Sequence, residues 1–120
     1  MNPEDVIRKF EQAFNSGSVD ALLDLYESNA TMMLDTGPVT GADAIREAFL
    51  GFLAMKPVIR VQAGDTVRAG DLALTSSRWT LTGVGPDGQP VEMSGHSAEI
   101  VRQQPDGTWR YVIDCPFGLP

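Results

Sequence analysis

The stretch SGHSAEIVRQQPDGTWRYVID, residues 94–114, reads as two strands joined at Pro105-Asp106-Gly107. Asp-Gly between strand-like runs is a strong hairpin signal. With Asp106 and Gly107 as a two-residue loop, Pro105 pairs with Thr108, Val101 with Val112 and Glu99 with Asp114. Like charges directly opposite on a sheet repel. A folded chain keeps such a pair where both carboxylates reach water, or where a site needs them. In this register one face carries Ser97, Glu99, Val101, Arg110, Val112 and Asp114, and the other Ala98, Ile100, Trp109, Tyr111, Ile113 and Cys115. Patterning alone puts the apolar face on the core and the acids in solvent. Two readings stay open: a wet strand face, or a pair of acids in a pocket.

Upstream, the signals are helical first and extended later. Asn2 suits an N-cap and Pro3 the first helical position, and Val6, Ile7, Phe10, Ala13 and Phe14 recur at helical spacing before the stop at Gly17. Ser18 can cap a second helix carrying Val19, Leu22, Leu23 and Tyr26. A short strand over 30–34 ends at the breaker Thr36-Gly37-Pro38, and a third helix runs from Gly41 towards Met55, closed by Pro57. Strands are then expected over 58–69, 71–83, 90–104 and 108–115. This order predicts an α+β fold in which three N-terminal helices pack on a strongly curved, mainly antiparallel sheet.

The 120 residues fit a single domain, residues 1–120. A net charge of −7 argues against nucleic acid and anionic membrane surfaces as partners. One cysteine permits no internal disulfide, and with a single histidine a structural zinc site is not expected. No run approaches the about 20 apolar residues of a membrane span. The charged N-terminus does not resemble a signal peptide, so the expected location is the cytoplasm.

The run DALLDLYESNATMMLDTGPVTGADAIREAF (20–49) together with DGTWRYVIDCPFG (106–118) resembles the nuclear transport factor 2-like superfamily, and within it the SnoaL-like and ketosteroid-isomerase-like small proteins. The resemblance covers nearly the whole chain and implies a cone-shaped α+β barrel with a pocket at its open end, often dimeric. It marks a fold better than a function, because the superfamily hosts isomerases, cyclases, epoxide hydrolases and non-catalytic association domains. Residue by residue, it places Glu99 where ketosteroid isomerases hold the acid that donates to the substrate oxyanion. Asp114 falls where epoxide-hydrolase-like members hold one of two aspartates. Asp35 lies within one position of the isomerase general base, in a run one residue longer. The chain departs from both patterns: Phe10 stands near the oxyanion tyrosine of the isomerases, and Ser97 where the hydrolases have an arginine between their acids.

The expected catalytic residues are therefore Glu99, Asp114 and Asp35. If Glu99 and Asp114 are both buried, one should hold a proton near neutrality, giving an acid and a base in one site. One of Arg78, Arg102 and Arg110 could instead balance an acid and hold it ionised. Trp79, with Thr75 and Ser77 on its own strand face, suits a pocket wall or the core. His96 is a candidate ligand hydrogen-bonding group and lies diagonal to Cys115, although a small buried thiol is the commoner role for such a cysteine. Tyr26, Met33, Phe14 and Val112 complete the expected ligand-binding set, the aromatic ones doubling as core. The function expected is a pocket for a small apolar molecule, with cofactor-free acid/base chemistry of isomerase, cyclase or hydrolase type on a carbonyl or epoxide. The alternative is a non-catalytic binding or dimerisation domain, associating as a homodimer through Trp109, Tyr111 and Ile113 on the sheet.

Overall fold

The computed structural model describes residues 1–119. Helices α1 (Asp5–Ser16), α2 (Val19–Leu23) and α3 (Ala42–Leu53) pack on one sheet of seven strands: β1 (Tyr26–Leu34), β2 (Gly37–Thr40), β3 (Val58–Ala63), β4 (Val67–Ala69), β5 (Leu72–Val84), β6 (Pro90–Gln103) and β7 (Trp109–Cys115). The strand order is β2-β1-β7-β6-β5-β3, with β4 also on β5. Among the described residues, only the β1–β7 pair is parallel. This is the expected architecture, a curved and mainly antiparallel sheet over three helices.

The helical stripes bury as their spacing requires. Val6, Ile7, Ala13 and Phe14 of α1 and Ile45 and Phe49 of α3 are buried against the sheet. Gly17, at φ 75°, ends α1 by giving its N–H to the carbonyls of Ala13 and Phe14. Ser18 caps α2, its hydroxyl accepting from the Ala21 N–H at 3.1 Å. Asn2 does not cap α1; its backbone N–H instead bonds Asp5 Oδ2 at 2.8 Å, and the helix starts two residues later than expected, at Asp5.

Three expectations about strands need correction. β1 begins at Tyr26 rather than Ala30, because parallel pairing with β7 draws in the earlier residues. The segment 36–38 is not a simple breaker. Leu34 pairs with Gly37 around Asp35 and Thr36, so Asp35 sits at a hairpin tip. The run 58–69 is two strands, β3 and β4, which both pair with the long β5. The exposed edge of β3 is covered by side chains of α1: Asn15 exchanges two hydrogen bonds with the Ile59 backbone, and Glu11 accepts from the Val61 N–H. Such cover blunts an edge that would otherwise recruit another strand.

The β6–β7 hairpin carries the decisive difference. Gln104 gives its N–H to the Thr108 carbonyl and Gly107 gives its N–H to the Gln104 carbonyl, so the loop has three residues, Pro105-Asp106-Gly107, with Gly107 at φ 87°. Val101 consequently pairs with Tyr111. A bulge then leaves Val112 without a partner on β6, and beyond it Ile100 pairs with Ile113 and Glu99 with Asp114. The longer loop and the bulge cancel at the acids. Between them they turn Trp109 and Tyr111 to the inner face, where they are 4% and 3% exposed. A dimer contact through Trp109 and Tyr111 is therefore ruled out; only Ile113 of that trio, 39% exposed, lies on the outer face.

Gly95 faces Trp79 across β5–β6, and a Cβ there would sit 2.7 to 2.8 Å from atoms of the indole. Gly95→Ala is expected to cost about 1–3 kcal/mol by overpacking. Urea denaturation measures it, and an unchanged midpoint would show that the indole is not seated on this glycine.

Candidate functional site

Between the helices and the inner face of the sheet lies a cavity of about 160 Å³. Its helical wall is apolar, built by Ile7, Phe10 and Phe14 of α1 and Phe49 and Phe52 of α3. Its polar groups come from neighbouring strands: Ser77 on β5, Ser97 and Glu99 on β6, and Asp114 and Tyr111 on β7. At the mouth stand two exposed residues, Asp35 from the β1–β2 hairpin and Phe117 after β7. Phe117 meets the Trp79 ring edge-on at 5.4 Å, and Trp79 Nε1 donates to the Pro116 carbonyl at 2.7 Å.

Glu99 and Asp114 are directly opposite and each only 6% exposed. No arginine or lysine answers them among the described residues. Arg102 pairs with Glu27 at 3.0 Å on the other side of the sheet, and Arg78 is exposed. The acids are served by hydroxyls instead. Thr75 Oγ1 donates to Glu99 Oε2 at 2.8 Å, and Ser97 Oγ donates to Glu99 Oε1. Tyr26 Oη donates to Asp114 Oδ2 at 2.5 Å. Burial pushes Glu99 up to about 7, the neighbouring Asp114 charge adds to the rise, and the Ser97 and Thr75 bonds pull it back. Burial raises Asp114 to about 6 against the opposing pull of the Tyr26 bond. Tyr26 and Tyr111 are both held well above the ordinary tyrosine range, first by burial and then by Asp114.

The expected residues divide clearly. Glu99, Asp114, Asp35, Trp79 and Phe14 line the cavity. Tyr26 stands behind it, reaching it only through Asp114. Met33 is outside, because Met32 and Leu34, on alternate positions of β1, take the inner face. Val112 is the bulged residue and does not reach the cavity. His96 lies on the opposite face of β6, exposed in a shallow outer groove with Arg60 and Arg78. Wall residues not expected in this role include Ser77, Tyr111, Met93 and Phe117. For Ser77 a signal existed, since Ala73, Thr75, Ser77, Trp79 and Leu81 alternate along β5 on one face. For Tyr111 the bulge hid it. Among the described residues no three His, Cys, Asp or Glu side chains converge as metal ligands. No described helix is long and apolar enough to cross a membrane.

A family model for the SnoaL-like domain matches residues 7–112. The chain belongs to this SnoaL-like family. Solved structures agree on the fold. A ketosteroid isomerase-like protein from Erwinia carotovora atroseptica superposes with a TM-score of 0.83 at 18% identity, over 94% of this chain and 90% of that one. A nuclear transport factor 2-like superfamily protein from Salmonella enterica serovar Typhimurium gives 0.81 at 19% identity, over 92% and 84%. A Novosphingobium aromaticivorans protein, provisionally named an aromatic ring hydroxylase, gives 0.78 at 25% identity, over 98% and 87%. A comparison with curated proteins returns no match. The SnoaL-like fold includes isomerases and other enzymes.

The raised acids make stability depend on pH with a definite sign. Both groups hold protons more tightly folded than unfolded, so their contribution is full below the ordinary carboxylate range and is lost as pH rises through about 6 to 7. The melting temperature should fall between pH 5 and pH 8. Glu99→Gln, which removes one charge, should flatten that fall and be the more stable protein at pH 8. Parallel melting curves for the two proteins would contradict the buried-acid assignment.

Proposed function

We propose that the cavity carries out cofactor-free acid/base chemistry on a small, mostly apolar carbonyl or epoxide compound. The observation that supports this best is the pair of facing buried acids, both raised, with different hydrogen-bond partners and no cation beside them among the described residues, on the polar wall of an otherwise apolar cavity. Asp114 is the base, its charged form supported by a tyrosine hydroxyl. Tyr26 occupies Oδ2, and Oδ1 carries no hydrogen bond among the described residues. Glu99, held protonated by burial and by the charge of Asp114 opposite it, is the donor.

With a carbonyl substrate, Asp114 takes a proton from the carbon beside the carbonyl. The C–H electron pair moves into the enolate, and the Glu99 hydroxyl donates to the oxygen where charge develops. Return of the proton to a different carbon completes an isomerisation. With an epoxide, Glu99 protonates the ring oxygen while Asp114 takes a proton from the attacking water. Asp35, the remaining carboxylate of the expected set, stands exposed at the mouth.

Hydrogen–deuterium exchange into cyclohex-2-enone, followed by proton NMR in D₂O, tests the first case. The protein should accelerate exchange over buffer, and Asp114→Asn should remove roughly 100-fold or more of that acceleration, the lower end of what a positioned base supplies. Acceleration that survives undiminished in both Asp114→Asn and Glu99→Gln would reject the assignment.

A second reading, self-association, has its own observation. Val67, Leu74, Ile100 and Ile113 align in register across β4, β5, β6 and β7 on the outer face, and Val67, Leu74 and Ile113 are exposed. Such a row suits a homodimer through the sheet, displaced from the Trp109–Tyr111 contact the sequence suggested. Sedimentation velocity should then show a dimer that Leu74→Glu converts to monomer. A wild-type monomer at tens of micromolar would remove this reading.

A further inference from the structure

We propose that the cavity selects a flat, single-ring molecule carrying one oxygen substituent, with the ring among the helical aromatics and the oxygen against the β5–β6 wall. The proposal rests on the same cavity as the acid/base reading and specifies its ligand. Size is the first constraint. An apolar cavity of about 150 Å³ engineered in another protein takes up benzene, and this one measures about 160 Å³. A single six-membered ring fills it, and fused rings would have to stand out past Asp35 and Phe117.

Shape is the second constraint. Phe10 and Phe14 lie nearly parallel at 5.7 Å, Phe49 is turned 74° to Phe14, and Tyr111 meets Phe10 edge-on at 6.1 Å. These rings offer both faces and edges to an occupant, the two arrangements in which aromatic pairs are favoured.

Polarity is the third and most specific constraint. The helical wall offers no hydrogen bond from its side chains, whereas Ser77, Ser97 and Glu99 lie together on two adjacent strands. A ligand with polar groups at both ends would leave one of them unpaired among phenylalanines. On the polar wall, the buried Ser77 Oγ has no hydrogen-bond partner among the described residues. Buried hydroxyls are ordinarily satisfied. Rotation of this side chain towards the cavity would let a ligand oxygen satisfy it beside Glu99.

Calorimetric titration with phenol, benzene and 2-naphthol at pH 6 tests size and polarity together. On the wild-type protein, phenol should bind roughly tenfold tighter than benzene and roughly tenfold tighter than 2-naphthol, differences that titration resolves readily. Ser77→Ala should weaken phenol roughly fivefold, the scale of one hydrogen bond, and leave benzene unchanged. Phe52→Ala, which enlarges the cavity at a half-buried position, should raise the affinity for 2-naphthol. Equal binding of phenol and benzene, or 2-naphthol binding as tightly as phenol, overturns the proposal; both are read on the wild type even if a variant does not fold. The acid/base reading fails separately. Phenol binding as described with no deuterium exchange into cyclohex-2-enone removes that reading alone. Exchange into 2-tetralone but not into cyclohex-2-enone removes this one alone.

Discussion

Two carboxyl groups side by side in a protein interior, with no cation beside them, cannot both be charged at low cost. This constraint governs the inner face of the sheet. Glu99 and Asp114 are fixed opposite each other by the backbone ladder, so neither can escape to solvent without breaking the hairpin. What surrounds them is a set of neutral donors, Thr75, Ser97 and Tyr26, contributed by three other positions of the sheet. Hydroxyls can support a carboxylate without fixing it in the charged state as an arginine would. The site therefore keeps a proton available near neutrality, where a nearby guanidinium would have driven both acids far down.

The rest of the inner face is arranged around that polar patch. Tyr26 packs at a tilt against Tyr111 at 4.9 Å and edge-on against Phe49 at 5.6 Å, so the ring that holds Asp114 is itself held by the core. Gly95 leaves room for the Trp79 indole, and Trp79 in turn fastens the Pro116 carbonyl and carries Phe117. A missing side chain on β6 thus determines where the chain runs after β7, and with it the shape of the cavity mouth.

The helices, the last hairpin and the facing acids were legible because they rest on local signals: a 3.6-residue stripe through Val6, Phe10 and Phe14, turn residues at Asp106-Gly107, and capping at Ser18. The faces of β7 were not. Register near the turn depends on whether Pro105 pairs or loops, and the Val112 bulge has no local marker in Tyr111-Val112-Ile113. A one-residue offset exchanges the two faces of a strand. The sequence register accordingly sets Trp109 and Tyr111 on the face opposite the acids, whereas the three-residue loop puts all four on the same face. His96 and Met33 fell outside the cavity for the same reason of parity: each is one position from a residue that does line it, Ser97 and Met32. Asp114 was placed correctly only because the loop and the bulge compensate.

Ser97 shows how the inner face accommodates either protonation state. Its hydroxyl has one hydrogen and two acceptors within reach, Glu99 Oε1 and the Ser77 carbonyl at 3.3 Å. When Glu99 is charged, that hydrogen belongs to the carboxylate. When Glu99 is neutral and no ligand oxygen faces it, its own O–H can donate to Ser97 Oγ, and the serine hydrogen turns to the Ser77 carbonyl. Both states are hydrogen-bonded, and the change between them needs rotation about one C–O bond with no movement of the backbone. Thr75 serves the other oxygen in either case. An arginine at position 97 would have provided a stronger contact to the carboxylate and only one state. A serine there gives a weaker contact and a carboxyl group whose proton can leave and return without disturbing the strands that hold it.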